Sequence, residues 1–154
     1  MHTTFTKVKL DNGWLGNMAP YPVVHNNITY KTTEALFQCM RFAAHPDVCE
    51  QLIASKSPMA VKMIAKKHAK LQNKCDDVDN MRLCLTLKLQ QHPELKPLLL
   101  QTGDSIIVED CSARARGTAL FWGAKWCSIS NTWVGENWLG RLWMDKRAEL
   151  LACA

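Results

Sequence analysis

YKTTEALFQCMRF, residues Tyr30 to Phe42, is the stretch on which the reading of the fold turns. Thr32 or Thr33 can cap a helix with a side-chain oxygen, Glu34 puts a carboxylate in the first turn, and no Gly or Pro intervenes before Phe42. The pattern predicts a helix. On its wheel Leu36, Met40 and Ala43 share one face with Phe37 beside them. Glu34, Gln38, Arg41 and His45 recur on another, a polar stripe along an otherwise apolar rod. Most such stripes are solvated surface, so the stripe alone does not make a site.

Upstream, Phe5 to Leu10 alternates weakly and stops at the turn signal Asp11-Asn12-Gly13, which predicts a strand. Val23-Val24 and Ile28 to Tyr30 flank His25-Asn26-Asn27, a hairpin pattern whose turn can use Asn in the left-handed region. Three short strands are thus expected before the first helix.

Downstream, His45-Pro46-Asp47 opens a second helix with Val48, Leu52 and Ile53 facing inward, and Ser57-Pro58 opens a third with Ser as cap and Pro at the first position. Lys62, Lys66, Lys67, Lys70 and Lys74 follow, a charge run that is usually a solvated face and in a minority of cases a phosphate contact. Asp76 to Asp79 sets acid before a fourth helix, where it complements the helix dipole. In that helix Met81, Cys84, Leu85 and Lys88 fall on one stripe, which places an ammonium on the apolar face. An unpaired lysine is almost never fully buried. Either the stem covers the core while the amine snorkels to water, or the amine faces a cleft, held by a carboxylate or available as a nucleophile with a lowered pKa.

Pro93 to Leu100 reads as a short helix and Ser105 to Glu109 as a strand. A polar loop, Asp110 to Ala119, carries Arg114 and Arg116; Phe121-Trp122-Gly123 and a linker lead to a last helix from about Trp138 toward Leu151, packing Leu139, Leu142, Trp143 and Leu150. This order of elements predicts a helix-rich α+β single domain, residues 1–154, with a small, mostly antiparallel sheet.

Composition sets the class. A chain of 154 residues suffices for one core. Its seven cysteines are odd in number, scattered and without a CxxC, which suits reduced thiols in a cytoplasmic protein. The five histidines are equally dispersed, so no structural metal is expected, and no cofactor is called for. No apolar run approaches the ~20 residues needed to cross a bilayer, and nothing points to an obligate protein partner. A net charge of +5 fits a phosphate-rich substrate but decides nothing alone.

Read as a string, GWLGNMAPYPVVHNNITYKTTEALFQCMRF (Gly13 to Phe42) resembles the opening of the NADAR superfamily. Later blocks extend the resemblance in order: Ser57-Pro58-Met59 with Lys62-Met63, Met81 to Leu89, Leu98-Leu99 with Gln101 to Asp104 and Val108-Glu109, Trp122-Gly123, and Gly135 with Asn137, Leu139-Gly140-Arg141-Leu142 and Met144. Such a multi-block match is far more specific than one motif.

The resemblance implies an α+β enzyme that breaks the N-glycosidic bond between a base-like amine and ribose C1, acting on early riboflavin-pathway intermediates or removing ADP-ribose from guanine in nucleic acid. Such cleavage passes through an oxocarbenium-like sugar, which needs negative charge beside C1 and a nucleophile or water. On this reading Glu34 stabilises the sugar cation or acts as base, and Lys88 attacks an opened ribose aldehyde or hydrogen-bonds sugar and phosphate. Arg41 clamps phosphate or holds Glu34. Asn17, Asp104 and Asn137 orient ribose hydroxyls, and Trp122 stacks on the base. Ser57, Gly123, Gly140 and Arg141 join the binding set through the matched blocks.

The chain also departs from the family pattern. Gln72-Asn73 stands where members commonly carry Asp-Trp, Ala119-Leu120 replaces an acidic position before Trp122-Gly123, and the loop after Glu109 is longer and contains SARARG (Ser112 to Gly117). Added arginines beside a missing acid suit a polyanion, so ADP-ribosylated nucleic acid, or an ADP-ribose-like nucleotide, is the expected substrate. A metabolic N-glycosidase of ribosylamino-pyrimidine phosphates, or a non-catalytic sensor of ADP-ribose or NAD, is the alternative.

Overall fold

The computed structural model describes all residues, 1–154. Seven α-helices and six short strands make an α+β fold, and the chain groups into two compact units: residues 17–92, and residues 1–16 with 93–154.

The first of these begins with the hairpin of β2 (Val23–His25) and β3 (Ile28–Tyr30), in antiparallel register with Val23 opposite Tyr30. Its turn places Asn26 and Asn27 at φ 52° and 65°, the left-handed pair a tight two-residue turn demands. Four helices follow: α1 (Thr33–Arg41), α2 (Pro46–Ala54), α3 (Pro58–Lys67) and α4 (Asp77–Gln91). Thr32 Oγ1 accepts from Ala35 N at 3.2 Å and Ser57 Oγ from Ala60 N at 3.1 Å, so both expected caps form. The core holds Leu36, Phe37, Val48, Leu52, Met81 and Leu85. The Gln91 amide brackets Val24, accepting from its N–H at 2.7 Å and donating to its carbonyl at 2.8 Å, which ties the end of α4 to the hairpin.

In the other unit β1 (His2–Phe5) pairs in parallel with β4 (Ile106–Glu109), His2 opposite Ile106. α5 (Leu95–Gln101) and α6 (Ala119–Trp122) pack against α7 (Trp138–Ala152), which also covers β4. Leu15, Leu95, Leu99, Ile107, Leu139, Leu142 and Trp143 are fully buried, and the Trp143 indole donates to the Leu15 carbonyl at 2.9 Å. β5 (Lys125–Cys127) and β6 (Thr132–Val134) form a second hairpin.

Several expectations change. The first strand lies at His2–Phe5, and residues 7–12 form turns, because the weak Phe5–Leu10 alternation has no partner while His2–Phe5 pairs with β4. Instead of one sheet there are three two-stranded pairs, two of them antiparallel. The expected linker after Gly123 is the β5–β6 hairpin, held by the edge-to-face pair Trp126 and Trp133. Ala43 is exposed and Met40 only half-buried, whereas the polar stripe of α1 is buried.

At the start of α7, a Cβ on Gly140 would overlap the Ile107 carbonyl oxygen and the Asn137 amide. The close approach of α7 to β4 requires glycine there. Gly140→Ala is expected to destabilise the protein by roughly 2 kcal/mol through forced backbone displacement. Urea unfolding measures it, and a change below about 0.5 kcal/mol, the range of an indifferent surface site, would show that the helix can step back freely.

Candidate active site

The polar stripe of α1 lies inside the protein. Glu34, Gln38 and Arg41 are each at least nine-tenths buried, so the solvated-face explanation fails for this helix. Buried polar groups must be bonded to one another, and here they are. Gln38 Nε2 donates to Glu34 Oε1 at 3.1 Å, and Gln72 Nε2 reaches Gln38 Oε1 at 3.5 Å and the Ala65 carbonyl at 3.4 Å. The Arg41 guanidinium grips Asp77 through two bonds, Nε to Oδ1 at 3.0 Å and NH2 to Oδ2 at 2.6 Å.

This corrects one assignment: Arg41 is engaged by Asp77 at the head of α4, not by Glu34, and its guanidinium also lies 4.6 Å from the Phe37 ring. The bidentate pair fixes the C-terminal end of α1 against the start of α4. Asn17 does the same at the other end. Its carbonyl accepts from Glu34 N at 3.0 Å, its Oδ1 accepts from the Thr33 hydroxyl at 3.0 Å, and its Nδ2 points to Met81 Sδ at 3.2 Å.

The facing stripe of α4 carries Met81, at the second clamp, and beyond it Cys84, Leu85 and Lys88, all buried. Lys88 has no exposed surface, which overturns the snorkelling explanation: its amine does not reach bulk water. Burial lowers its pKa from the ordinary lysine value to about 7. Its Nζ sits 5.2 Å from the ring centre of the half-exposed Tyr21, which in turn meets His92 edge-on at 5.2 Å. Burial pushes the Cys84 thiol up, and the Glu34 charge adds to that rise, so the field of this carboxylate is felt one helical turn before Lys88 on the same face. A carboxylate and a weakly basic amine therefore share one dry helix interface.

Ser57 stands apart. Its hydroxyl caps α3, in a small cleft bordered by Lys31, Thr32, Ala35, Leu52 and Lys56, and neither Glu34 nor Lys88 lines that cleft.

The remaining candidates lie in the other unit. Asn137, in the left-handed region at φ 53°, has its side chain committed to backbone: Nδ2 donates to the Ile107 carbonyl at 2.8 Å and Oδ1 accepts from Glu109 N at 3.1 Å. Its amide braces β4 against α7, as Gly140 does by its smallness, so the side chain expected to orient a sugar hydroxyl is anchored to backbone. Gly123 likewise allows close approach to the Glu109 carbonyl. Asp104 is exposed in the turn between α5 and β4. Trp122 is half-buried against Phe121 at 4.9 Å, Phe121 lies 6.2 Å from Trp138, and the Arg141 guanidinium covers Trp138 at 4.0 Å. This is an aromatic and cationic surface able to take a flat, anionic ligand.

Sequence reading did not single out Gln38, Gln72, Asp77 or Tyr21 as site residues. Gln38 was visible on the Glu34 stripe. For Asp77 the only signal was its place among four acidic and polar residues at a helix start, which suits a dipole partner equally well.

Comparison with known proteins shows the family of the chain. The model of the NADAR domain family matches residues 4–151. N-glycosidase YbiA of Escherichia coli is 30% identical over 143 residues, covering 91% of this chain and 82% of that protein. An N-glycosidase of Nostoc punctiforme is 26% identical over 151 residues, covering 95% and 90%. The NMR structure of E. coli YbiA superposes with a TM-score of 0.78 at 27% identity, over 99% of this chain and 88% of that one. No helix of the structure is long and apolar enough to cross a membrane.

Proposed function

The chain belongs to the NADAR domain family, and from that membership we propose that it is an N-glycosidase, a hydrolase of the bond between ribose C1 and a base-like amine. The reading treats residues 1–154 as one functional domain and takes ADP-ribose attached to guanine in nucleic acid as the substrate. Its main support is the buried amine of Lys88, with a pKa near 7, on the helix interface that also holds Glu34.

The chemistry follows from those two groups. As the C1–N bond lengthens, positive charge builds on the sugar, and the Glu34 carboxylate lowers the energy of that cation. Gln38, donating to Glu34 Oε1, fixes where the carboxylate points. The neutral Lys88 amine forms an Nζ–C1 bond as the C1–base bond breaks; the proton lost from Nζ goes to the departing amine. The sugar ring opens to an imine on Nζ, and water hydrolyses it to the free sugar and the regenerated amine. The Tyr21 ring lies 5.2 Å from the amine.

The decisive assay offers the purified protein two substrates side by side: an oligonucleotide bearing ADP-ribosyl-guanine and a phosphorylated ribosylamino-pyrimidine. The expected result is release of ADP-ribose and restored guanine from the first. Turnover of the second alone would make the protein a metabolic N-glycosidase. Tight binding of ADP-ribose without any base release would make it a sensor, the outcome favoured by Ala119-Leu120 in place of the family's acid.

A further inference from the structure

Residues 51–75 contain six lysines and no aspartate or glutamate. The whole chain carries a net charge of +5. The rest of the molecule therefore has one more negative than positive side chain, and all of the excess positive charge resides in this one segment. The structure turns the segment into a surface. Its centre is α3, which buries Val61 and Ala65 and points Lys62, Lys66 and Lys67 outward; Lys70 and Lys74 continue beyond its end, all exposed. Between the flanking ammonium groups lie two unbranched apolar side chains, Met59 and Met63, exposed by 57% and 70%.

Such a surface is destabilising in the free protein. Lys62 and Lys66 are like charges one turn apart within α3, and Lys67 and Lys70 add to them at and beyond its end, with no carboxylate nearby in sequence to relieve them. A helix that keeps this repulsion is suited to a partner that removes it. The segment also leads to the candidate active site: Gln72, just past its helical part, bonds Gln38, which holds Glu34.

We propose that the exposed face of α3, with Lys70 and Lys74, is a docking track for a single nucleic-acid strand, whose phosphates pair with the flanking lysines while unstacked bases lie over Met59 and Met63. The charge map stands by itself; the choice of nucleic acid rests on the substrate proposed above. An anionic membrane surface fits less well, because two methionines bury too little apolar area to hold a helix in the headgroup region.

The test needs no turnover. Binding of an unmodified, fluorescein-labelled single-stranded oligonucleotide is measured by anisotropy across a salt series, for the wild type and for Lys62→Gln, Lys66→Gln, Lys67→Gln and Lys70→Gln combined. These exposed positions tolerate glutamine, and a thermal melt verifies the fold. Each phosphate contact removed is expected to reduce the slope of log affinity against log salt by about 0.7, so by roughly 3 for the quadruple variant. Equal affinity and slope in both proteins would overturn the proposal, as would lysine-dependent binding to phosphatidylserine vesicles with none to the oligonucleotide. An inactive protein that still binds DNA through these lysines would refute the proposed activity and leave the track intact; an active one whose binding ignores them would do the reverse.

Discussion

Replacing Lys88 with methionine is expected to leave the protein folded and to lower base release on the order of 10³-fold, the scale on which a buried proton-transfer or nucleophilic group acts. Methionine keeps the length and apolar stem of the side chain and removes only the amine. A pH profile separates chemistry from packing. Burial sets the Nζ pKa at about 7, and only the deprotonated amine attacks C1. Wild-type kcat/KM should therefore rise as pH passes upward through 7 and level off above it, and the residual activity of the variant should lack that inflection.

The same group makes a stability prediction of definite sign. The folded pKa of Lys88 lies below its unfolded value of 10.5, so between those two values the unfolded chain binds more protons and wild-type stability gains as pH rises. The cost of burying the ammonium is full below pH 7. Above pH 9 the buried thiols of Cys39 and Cys84, whose pKa values are raised, act in the opposite direction. Comparison with Lys88→Met at matched pH cancels them. If the variant kept wild-type turnover, or the wild type showed no inflection near neutrality, the amine would have no part in the reaction.

Glu34→Gln is expected to cost a similar factor, about 10³ in kcat with little change in KM, because the carboxylate charge matters only once the sugar has become cationic. Gln is nearly isosteric and can still pair with the Gln38 amide, so the helix interface should survive. A second readout comes from trapping. With borohydride, the wild type should yield a reduced sugar adduct on Lys88, visible by mass spectrometry, whereas Glu34→Gln should yield far less because the C1–base bond breaks slowly. Unchanged turnover in Glu34→Gln would remove the carboxylate from the mechanism. An adduct on a different lysine would move the nucleophile.

Much of the local architecture could be read from the chain. Thr32, Ser57-Pro58 and Asn26-Asn27 announce caps and a turn through bonds made within three or four residues, and all three formed as expected. The strand at His2–Phe5 was displaced in the reading, and the β5–β6 hairpin was missed, because a parallel partner more than a hundred residues away and a cross-strand tryptophan pair leave no periodicity to detect. The Glu34 stripe shows the same limit within one helix. Its spacing was legible, but whether it faced water or protein was not.

What the sequence determined by itself was six of the seven helices, the capped starts of α1 and α3, and the placing of an amine on the apolar stripe of α4, since these depend on residues a turn or two apart. Only tertiary structure decided that this amine is dry, that Arg41 is held by Asp77, and that Asn137 serves the backbone of β4. The reason is physical: protonation and hydrogen-bond partnership depend on what surrounds a group in space, and burial is created by elements that the chain brings together from far apart.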